Sequence, residues 1–313
     1  MPDDRERIEG IAGRHLGRGA DGARRAAYVT PERHDAGLLV AIPRRLNREG
    51  LGIGEESPPF VGVDVWNCHE VSFLLAGGCP VNLILRLHYP ADSPAIVESK
   101  SLKLYLNSFN MERSSAARPE EAIRLFLETV REDVSRCVGA DVAVSHAPAH
   151  DWSAPRRDLV RNPGKWQVLE EALDIAALQC VTDGERPELL RETRHDADHL
   201  KVRTSVLRSN CRITNQPDWG DLFVWMRGAE LPGLASLLRY VISMRSENHF
   251  HEEIAETIYI RLTDFGPEEL FVACLYTRRG GIDINPVRAS SPALLRRLAD
   301  VEHAGLQKRA PRQ

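Results

Sequence analysis

Apolar residues along the chain follow two different rhythms, and the elements can be read from them. Val81-Asn82-Leu83-Ile84-Leu85-Arg86-Leu87-His88 places Val81, Leu83, Leu85 and Leu87 on one side, the period of a strand. Val97 to Leu106 also alternates, with Leu102, Leu104 and Leu106 opposed by Lys103 and Tyr105, and predicts a second strand. A helix is predicted from Pro119, a favoured first-turn residue, with Glu120 and Glu121 at the positive end of its dipole. Ile123, Leu127, Val130 and Val134 form the expected buried stripe. Val142 and Val144 mark a strand near Asp141–His146.

The pattern weakens from Ala147 to about Arg194, where Pro148, Pro155 and Pro163 interrupt it; a helix over Trp166–Leu178 is the one element expected there. Beyond His199 the rhythm returns. Strands are predicted over Leu200–Leu207 and Leu222–Arg227, helices over Pro232–Arg245 and His249–Leu262, and strands over Leu270–Tyr276 and Ile282–Ile284. Antiparallel sheets backed by paired helices make this an α+β fold. The expected division is an N-terminal arm (1–50) with one short helix, a first module (51–150), a connecting region (151–190) and a second module (191–313).

Composition narrows the partners. The formal net charge of -4 over 313 residues gives no reason to expect a nucleic-acid partner. Apolar runs are short and carry charges, so no segment should span a bilayer. The charged start Met1-Pro2-Asp3-Asp4-Arg5-Glu6-Arg7 has no apolar stretch behind it, so a signal peptide is not expected and a cytoplasmic location is. Six scattered cysteines form no CxxC pair, and a disulfide framework is not expected.

Four stretches concentrate polar chemistry. Glu98 to Phe109 holds a carboxylate, two lysines and several serines between apolar positions, which suits ligand contacts or simply a solvated edge strand. Cys211 sits among polar residues at a strand end, the accessible setting a reactive thiolate needs, with Asp218 after a Pro-Asp-x-Gly turn that would fold it back toward the sulfur. Asn248-His249-Phe250-His251-Glu252-Glu253 opens a helix: His251 could move a proton near neutral pH, and Glu252 could grip a guanidine-like ring edge. Arg278-Arg279-Gly280-Gly281 puts cations beside open backbone, which suits phosphate as well as a solvated turn. His146/His150 and His195/His199 have helical spacing, but no metal site is expected from them.

Together these stretches resemble the two-module form of the NADPH-dependent 7-cyano-7-deazaguanine reductases. Glu98–Tyr105 is similar to the signature Glu-[Ser/Leu]-Lys-[Ser/Ala]-x-Lys-[Leu/Tyr]-aromatic at every fixed position. Ser209-Asn210-Cys211 with Gln216-Pro217-Asp218-Trp219-Gly220 looks like the nucleophile segment, and Phe250-His251-Glu252 like the substrate-holding segment. Arg278–Pro286 and Pro43–Arg48 also resemble family stretches, so the likeness runs from about residue 38 to 288. It departs at Phe73, where the family has Trp, at Val287, commonly aromatic, and at Glu247 and His249, which look exchanged relative to the usual His-Asn-Glu.

The resemblance implies a tunnel fold and reduction of 7-cyano-7-deazaguanine to the 7-aminomethyl base with two NADPH, through a covalent thioimide, in tRNA queuosine biosynthesis. It implies Cys211 as nucleophile, Asp218 as proton donor and His251 as a second proton-transfer group. Val97, Glu98, Ser99, Phe250, His251 and Glu252 should hold the substrate, and Ser99, Lys100, Arg279 and Gly280 the NADPH, which is expected to bind without a Rossmann glycine fingerprint. A homodimer or larger homo-oligomer is expected, because open sheet edges must close somewhere. Three other readings remain open at this point: a cysteine-dependent nitrile hydrolase, a metal-dependent cyclohydrolase of similar architecture, whose Cys/His zinc set is not visible in the sequence, and a non-catalytic purine- or pterin-binding module.

Overall fold

The chain order of the elements that matter is β1 (Ala41–Pro43), α1 (Arg45–Arg48), β2 (Val61–Leu74), β3 (Pro80–Pro90), β4 (Ala95–Val97), α2 (Ser99–Ser108), α3 (Pro119–Val138) and β5 (Ala143–Pro148). After β6 (Gln167–Val168) come β7 (His199–Cys211), β8 (Pro217–Arg227), α4 (Leu234–Ser243), β9 (Asn248–His249), α5 (His251–Thr263), β10 (Glu269–Tyr276), β11 (Ile282–Ala289) and α6 (Pro292–Leu298). The computed structural model describes residues 31, 33–54, 57–150, 156–161, 164–191, 193–194, 197–301 and 306–307. Most of the expected N-terminal arm, parts of the connecting region and His195 therefore lie outside the described residues.

The fold is α+β, built on one nine-stranded sheet in the order β9-β7-β8-β10-β11-β2-β3-β5, with β6 also laid along β7. Antiparallel β11 and β2 join its two halves through eight facing residues, from Ile282 opposite Cys68 to Ala289 opposite Val61. On one face, α2 and α3 cover Leu83, Leu85 and Leu87, while α4 and α5 cover Leu222, Val224, Val272 and Cys274. The other face carries Val65, Phe271, Ala273 and Val287 against Leu294 and Leu298 of α6 and against Trp166. Because both faces are covered, β10 (ELFVACLY) is apolar almost throughout rather than alternating, whereas β11 and β2 bury the polar Asp283, Asn285, Arg288 and Asp64.

The strand expected over Val97 to Leu106 is instead helix α2, and this corrects the first reading. Leu102, Tyr105, Leu106 and Phe109 recur at i, i+3, i+4 and i+7, and all four are buried, so the helical period accounts for burial where alternation does not. Glu98 decides where the helix begins: its carboxylate accepts from Ser101 N–H at 2.7 Å, and its backbone carbonyl accepts from the Ser101 hydroxyl at 2.7 Å. α3 starts at Pro119 as expected. Its buried stripe is Ala122, Phe126, Val130 and Val134, turned slightly from the expected one, with Ile123 and Leu127 half-buried. The helix expected over Trp166–Leu178 reduces to one turn at Leu169–Ala172 and a 3-10 turn at Ile175–Ala177.

Candidate active site

The β7–β8 hairpin sets the position of the thiol. Cys211 ends β7, and its N–H donates to the Gln216 carbonyl at 2.8 Å while its own carbonyl accepts from Asn215 N–H at 2.9 Å. Asn215 takes a left-handed conformation (φ 54°) to close this loop, which asparagine tolerates better than most residues. Asp218 is not folded back by a turn of its own, as the sequence reading expected; it is the second residue of β8, opposite Ser209.

Burial raises the proton affinity of the Cys211 thiol, yet its neighbours more than offset this and hold it below the ordinary thiol value: the Thr214 hydroxyl, the Lys100 ammonium, and the backbone N–H groups of Thr214 and Ile213. The Thr214 hydroxyl is itself buried and meets no other group in hydrogen-bonding geometry among the described residues, which leaves its proton to the sulfur. Asp218 is likewise buried, and its carboxyl is held ionised. Its Oδ2 lies 3.2 Å from His251 Nε2 and its Oδ1 lies 2.8 Å from Arg279 Nη1. Desolvation works against the charge, but His251, Arg279 and Lys100 together keep the carboxyl below its usual range.

Helix α5 brings in the next group. Phe250 caps it, and the Glu253 carboxylate accepts from the Phe250 N–H at 3.4 Å. Phe250 packs with Ile42, Leu46, Ile96 and Ile213, an apolar patch shared between the two halves of the chain. Val97, on β4 next to that patch, is buried, and its N–H meets the Tyr89 hydroxyl at 3.5 Å. Glu252 is buried with Oε1 unpartnered among the described residues. Desolvation, and after it the charge of Asp64, push its carboxyl up to about 8. Glu98 is buried too, but its carboxylate is engaged at the start of α2, with Ser101 N–H and, at 3.4 Å, the Ser99 hydroxyl.

Behind the thiol, β9 runs parallel to the end of β7, with His249 beside Cys211. His249 Nε2 lies 2.9 Å from Glu247 and Nδ1 lies 2.8 Å from Glu253. Burial alone would lower its pKa, but the two carboxylates dominate and raise it to about 9. Glu247, hydrogen-bonded to His249, drops to about 2. Here the exchanged residues form a tight ionic clamp rather than a defect. Phe73 similarly fills its site, stacked on Phe126 with ring centroids 5.1 Å apart, and Val287 is fully buried.

An open cleft of about 420 Å³ is lined by Ser99, Lys100, Lys103, Leu104, Gln216, His251, Arg279, Gly280, Ile282 and Ile284; Cys211 and Asp218 are not among its lining residues. All four residues expected to contact NADPH line it, together with His251. Gly280 and Gly281 have φ of 60° and 83°, so the turn carrying Arg279 depends on glycine backbone. A Cβ at Gly281 would also strike Glu70 at 2.5 Å. Three cations beside a cleft that reaches His251 suit a phosphorylated dinucleotide. Thr214 and Tyr276 were not singled out from sequence; Lys103 was, as the second lysine of the Glu98–Tyr105 run, but not as a cleft residue. Gly220, read from sequence as part of a turn, is in the structure a strand residue opposite Tyr276, and a glycine within a strand marks a close approach. The expected absence of a dinucleotide glycine fingerprint also needs correcting, since Gly17-Arg18-Gly19-Ala20-Asp21-Gly22 has that spacing, outside the described residues.

Comparison with known proteins decides the family. Residues 30–146 match the family described as nitrile reductase, 7-cyano-7-deazaguanine-reductase N-term, and residues 217–293 match the one described as QueF-like protein; Cys211 falls between the two segments. The NADPH-dependent 7-cyano-7-deazaguanine reductase of Chromohalobacter salexigens is 40% identical over 268 residues, 85% of this chain and 90% of that protein. This chain belongs to the NADPH-dependent 7-cyano-7-deazaguanine reductase family. Members so named from Paraburkholderia xenovorans (40% identical, 84% of this chain and 91% of theirs) and Hahella chejuensis (38%, 84% and 90%) match over the same breadth. A solved structure, the archaeosine synthase QueF-Like in the apo form, matches at 18% identity over 30% of this chain and 94% of its own, with a TM-score of 0.28; that superposition is too loose to bear on the fold.

Proposed function

We propose that this chain reduces the nitrile of 7-cyano-7-deazaguanine to the aminomethyl group of 7-aminomethyl-7-deazaguanine, with two NADPH, through a thioimide on Cys211. The observation that carries the reading is Asp218 held between His251, at 3.2 Å, and Arg279, at 2.8 Å, beside a cleft lined by Lys100, His251 and Arg279, with Lys100 and Thr214 also drawing the Cys211 thiol below its ordinary range.

The nitrile carbon is electrophilic, and a thiolate adds to it more readily than hydride does. Cys211 Sγ bonds to that carbon, one C–N π bond breaks, and the nitrogen takes a proton, leaving a thioimide. Asp218 is a carboxylate at rest, so any proton it passes to the nitrogen must first come from the thiol or from His251, 3.2 Å away. NADPH, when bound, supplies the hydride for each of the two reductions. After the first, the carbon–sulfur bond breaks, Cys211 leaves as thiolate, and the resulting imine stays in the site until it becomes the amine. Glu252, unpartnered on Oε1, would take the guanidine-like edge of the base, with Val97, Glu98, Ser99 and Phe250 around the ring. Ser99, Lys100, Arg279 and Gly280 would hold NADPH. Protecting the imine from water requires the open cleft to be covered once its ligands are bound.

We further take the chain to act in the cytoplasm, in tRNA queuosine biosynthesis, as a homodimer or larger homo-oligomer of two-module subunits, without direct nucleic-acid contact. No helix among the described residues is long and apolar enough to cross a membrane. Following NADPH absorbance with the nitrile base as sole acceptor tests the reading. The expected result is two NADPH consumed per amine formed; release of an acid or amide with no NADPH consumed contradicts it.

A further inference from the structure

His251 and Tyr276 lie face to face, with ring centroids 3.7 Å apart and planes within 6° of parallel. Tyr276 is the last residue of β10 and is fully buried. Its partner across the sheet on β8 is Gly220. A Cβ on Gly220 would stand 3.2 Å from Tyr276 Cδ1 and 3.2 Å from Leu207 Cδ2, closer than ordinary packing allows, so the missing side chain makes room for the ring. The Tyr276 hydroxyl lies against Ser209, which faces Asp218 across the β7–β8 pair. The ring thus backs the two groups that meet in front of it, His251 and Asp218.

An imidazole on a helix N-terminus has a broad torsion about its second side-chain bond, and one hydrogen bond does not fix its plane. A flat, immobile ring at contact distance does, because rotation out of plane would drive imidazole edge atoms into it. With the plane set, Nε2 reaches Asp218 at 3.2 Å, and Nδ1 is buried with no hydrogen-bond partner among the described residues, leaving it for a ligand.

We infer that Tyr276 is a positioning residue for the reduction: its ring, admitted by Gly220, holds His251 in the plane that joins Asp218 to the reacting nitrogen. The inference rests on the proposed reduction for its effect on rate, but the stacking itself can be tested without turnover. Aromatic stacking supplies the restraint, so Tyr276→Phe should retain kcat within about threefold, whereas Tyr276→Leu should lose on the order of 100-fold, as expected when a proton-transfer group is misplaced. The KM values for the nitrile base and NADPH should stay within about threefold in both, since neither ligand is held by Tyr276. A structural defect alone would not produce this split or its rescue by phenylalanine.

NMR of the wild-type protein with labelled histidine gives the independent reading. The His251 ring protons should be shifted upfield by the tyrosine ring current, relative to an exposed histidine such as His150, and should remain so in Tyr276→Phe. If Tyr276→Leu does not fold, this shift decides the matter. Unshifted His251 protons in the wild type overturn the inference, as does a folded Tyr276→Leu with undiminished kcat, or a Tyr276→Phe as slow as Tyr276→Leu. A wild type that shows the shift but does not consume NADPH would instead count against the proposed reaction.

Discussion

Glu252 and Glu256 stand one turn apart on α5, both buried, and they are in opposite states. Glu256 accepts from Arg48 Nε at 2.8 Å and Nη2 at 2.7 Å, and from Arg288 Nη2 at 2.9 Å. Despite desolvation, Arg288, Arg48 and Arg44 hold it ionised. Asp64 completes the cluster, bonded to Arg288 Nη1 at 2.8 Å and to Arg44. Glu252 has no such partner on Oε1 among the described residues, and its carboxyl rises to about 8. Burial is common to both; pairing decides the charge. The paired carboxylate ties α1, β2, β11 and α5 together, and the orphan next to it is the one facing unmet chemistry.

The largest effect in this comparison belongs to the site itself. Cys211→Ala should lower turnover by at least about 10³-fold, because it removes the covalent route altogether, with NADPH affinity measured by fluorescence changed little. Next comes the cluster. Glu256→Gln leaves Arg48 and Arg288 short of their counter-charge in the interior, and should cost about 3–5 kcal/mol in urea unfolding.

Glu252→Gln sharpens the contrast from the other side. It should leave urea stability at neutral pH the same or higher, while raising KM for the nitrile base about 10- to 100-fold, because the ring edge can draw a carboxyl, but not an amide, into a charged two-acceptor form. Its pH signature has a definite sign. With the folded pKa raised from 4.5 to about 8, the folded state holds a proton that the unfolded chain has already lost, so stability should fall as pH rises between those values. The slope from this group is at most about 1.4 kcal/mol per pH unit, and Glu252→Gln should remove it.

The smallest effect concerns the clamp behind the thiol. The His249 pKa is raised from 6.5 to about 9, so its contribution is fully present below 6.5 and is lost as pH rises through 9. His249→Gln should flatten unfolding midpoints across that alkaline window and leave the Glu252 slope below it in place.

What could be read from sequence follows how local each determinant is. α3 and most second-half strands declare themselves because their caps and apolar rhythm lie within a few residues. α2 was misread because Leu102, Leu104 and Leu106 satisfy alternation, while the helical set Leu102, Tyr105, Leu106 and Phe109 counts a tyrosine whose hydroxyl is met by Asp133 at 2.8 Å, far along the chain. β2 went unnoticed for a similar reason: Asp64 looks like a break in a strand until Arg288, 224 residues away, supplies its partner. In the site, Cys211, Asp218, His251 and Arg279 were visible as polar density in apolar frames. Tyr276 was not, because a tyrosine ending an apolar strand looks like core, and its stacking on His251 exists only once β10 and α5 have packed. The exchanged Glu247 and His249 looked like a departure, and they make sense only beside Glu253.

Intact-mass spectrometry of the chain mixed with 7-cyano-7-deazaguanine, with no NADPH added, tests the central claim most directly. The account predicts a single adduct of the mass of the base, localised to Cys211 and missing from Cys211→Ala. A folded wild-type chain that binds the base yet gains no mass, or an adduct that persists after Cys211 is replaced, would contradict it.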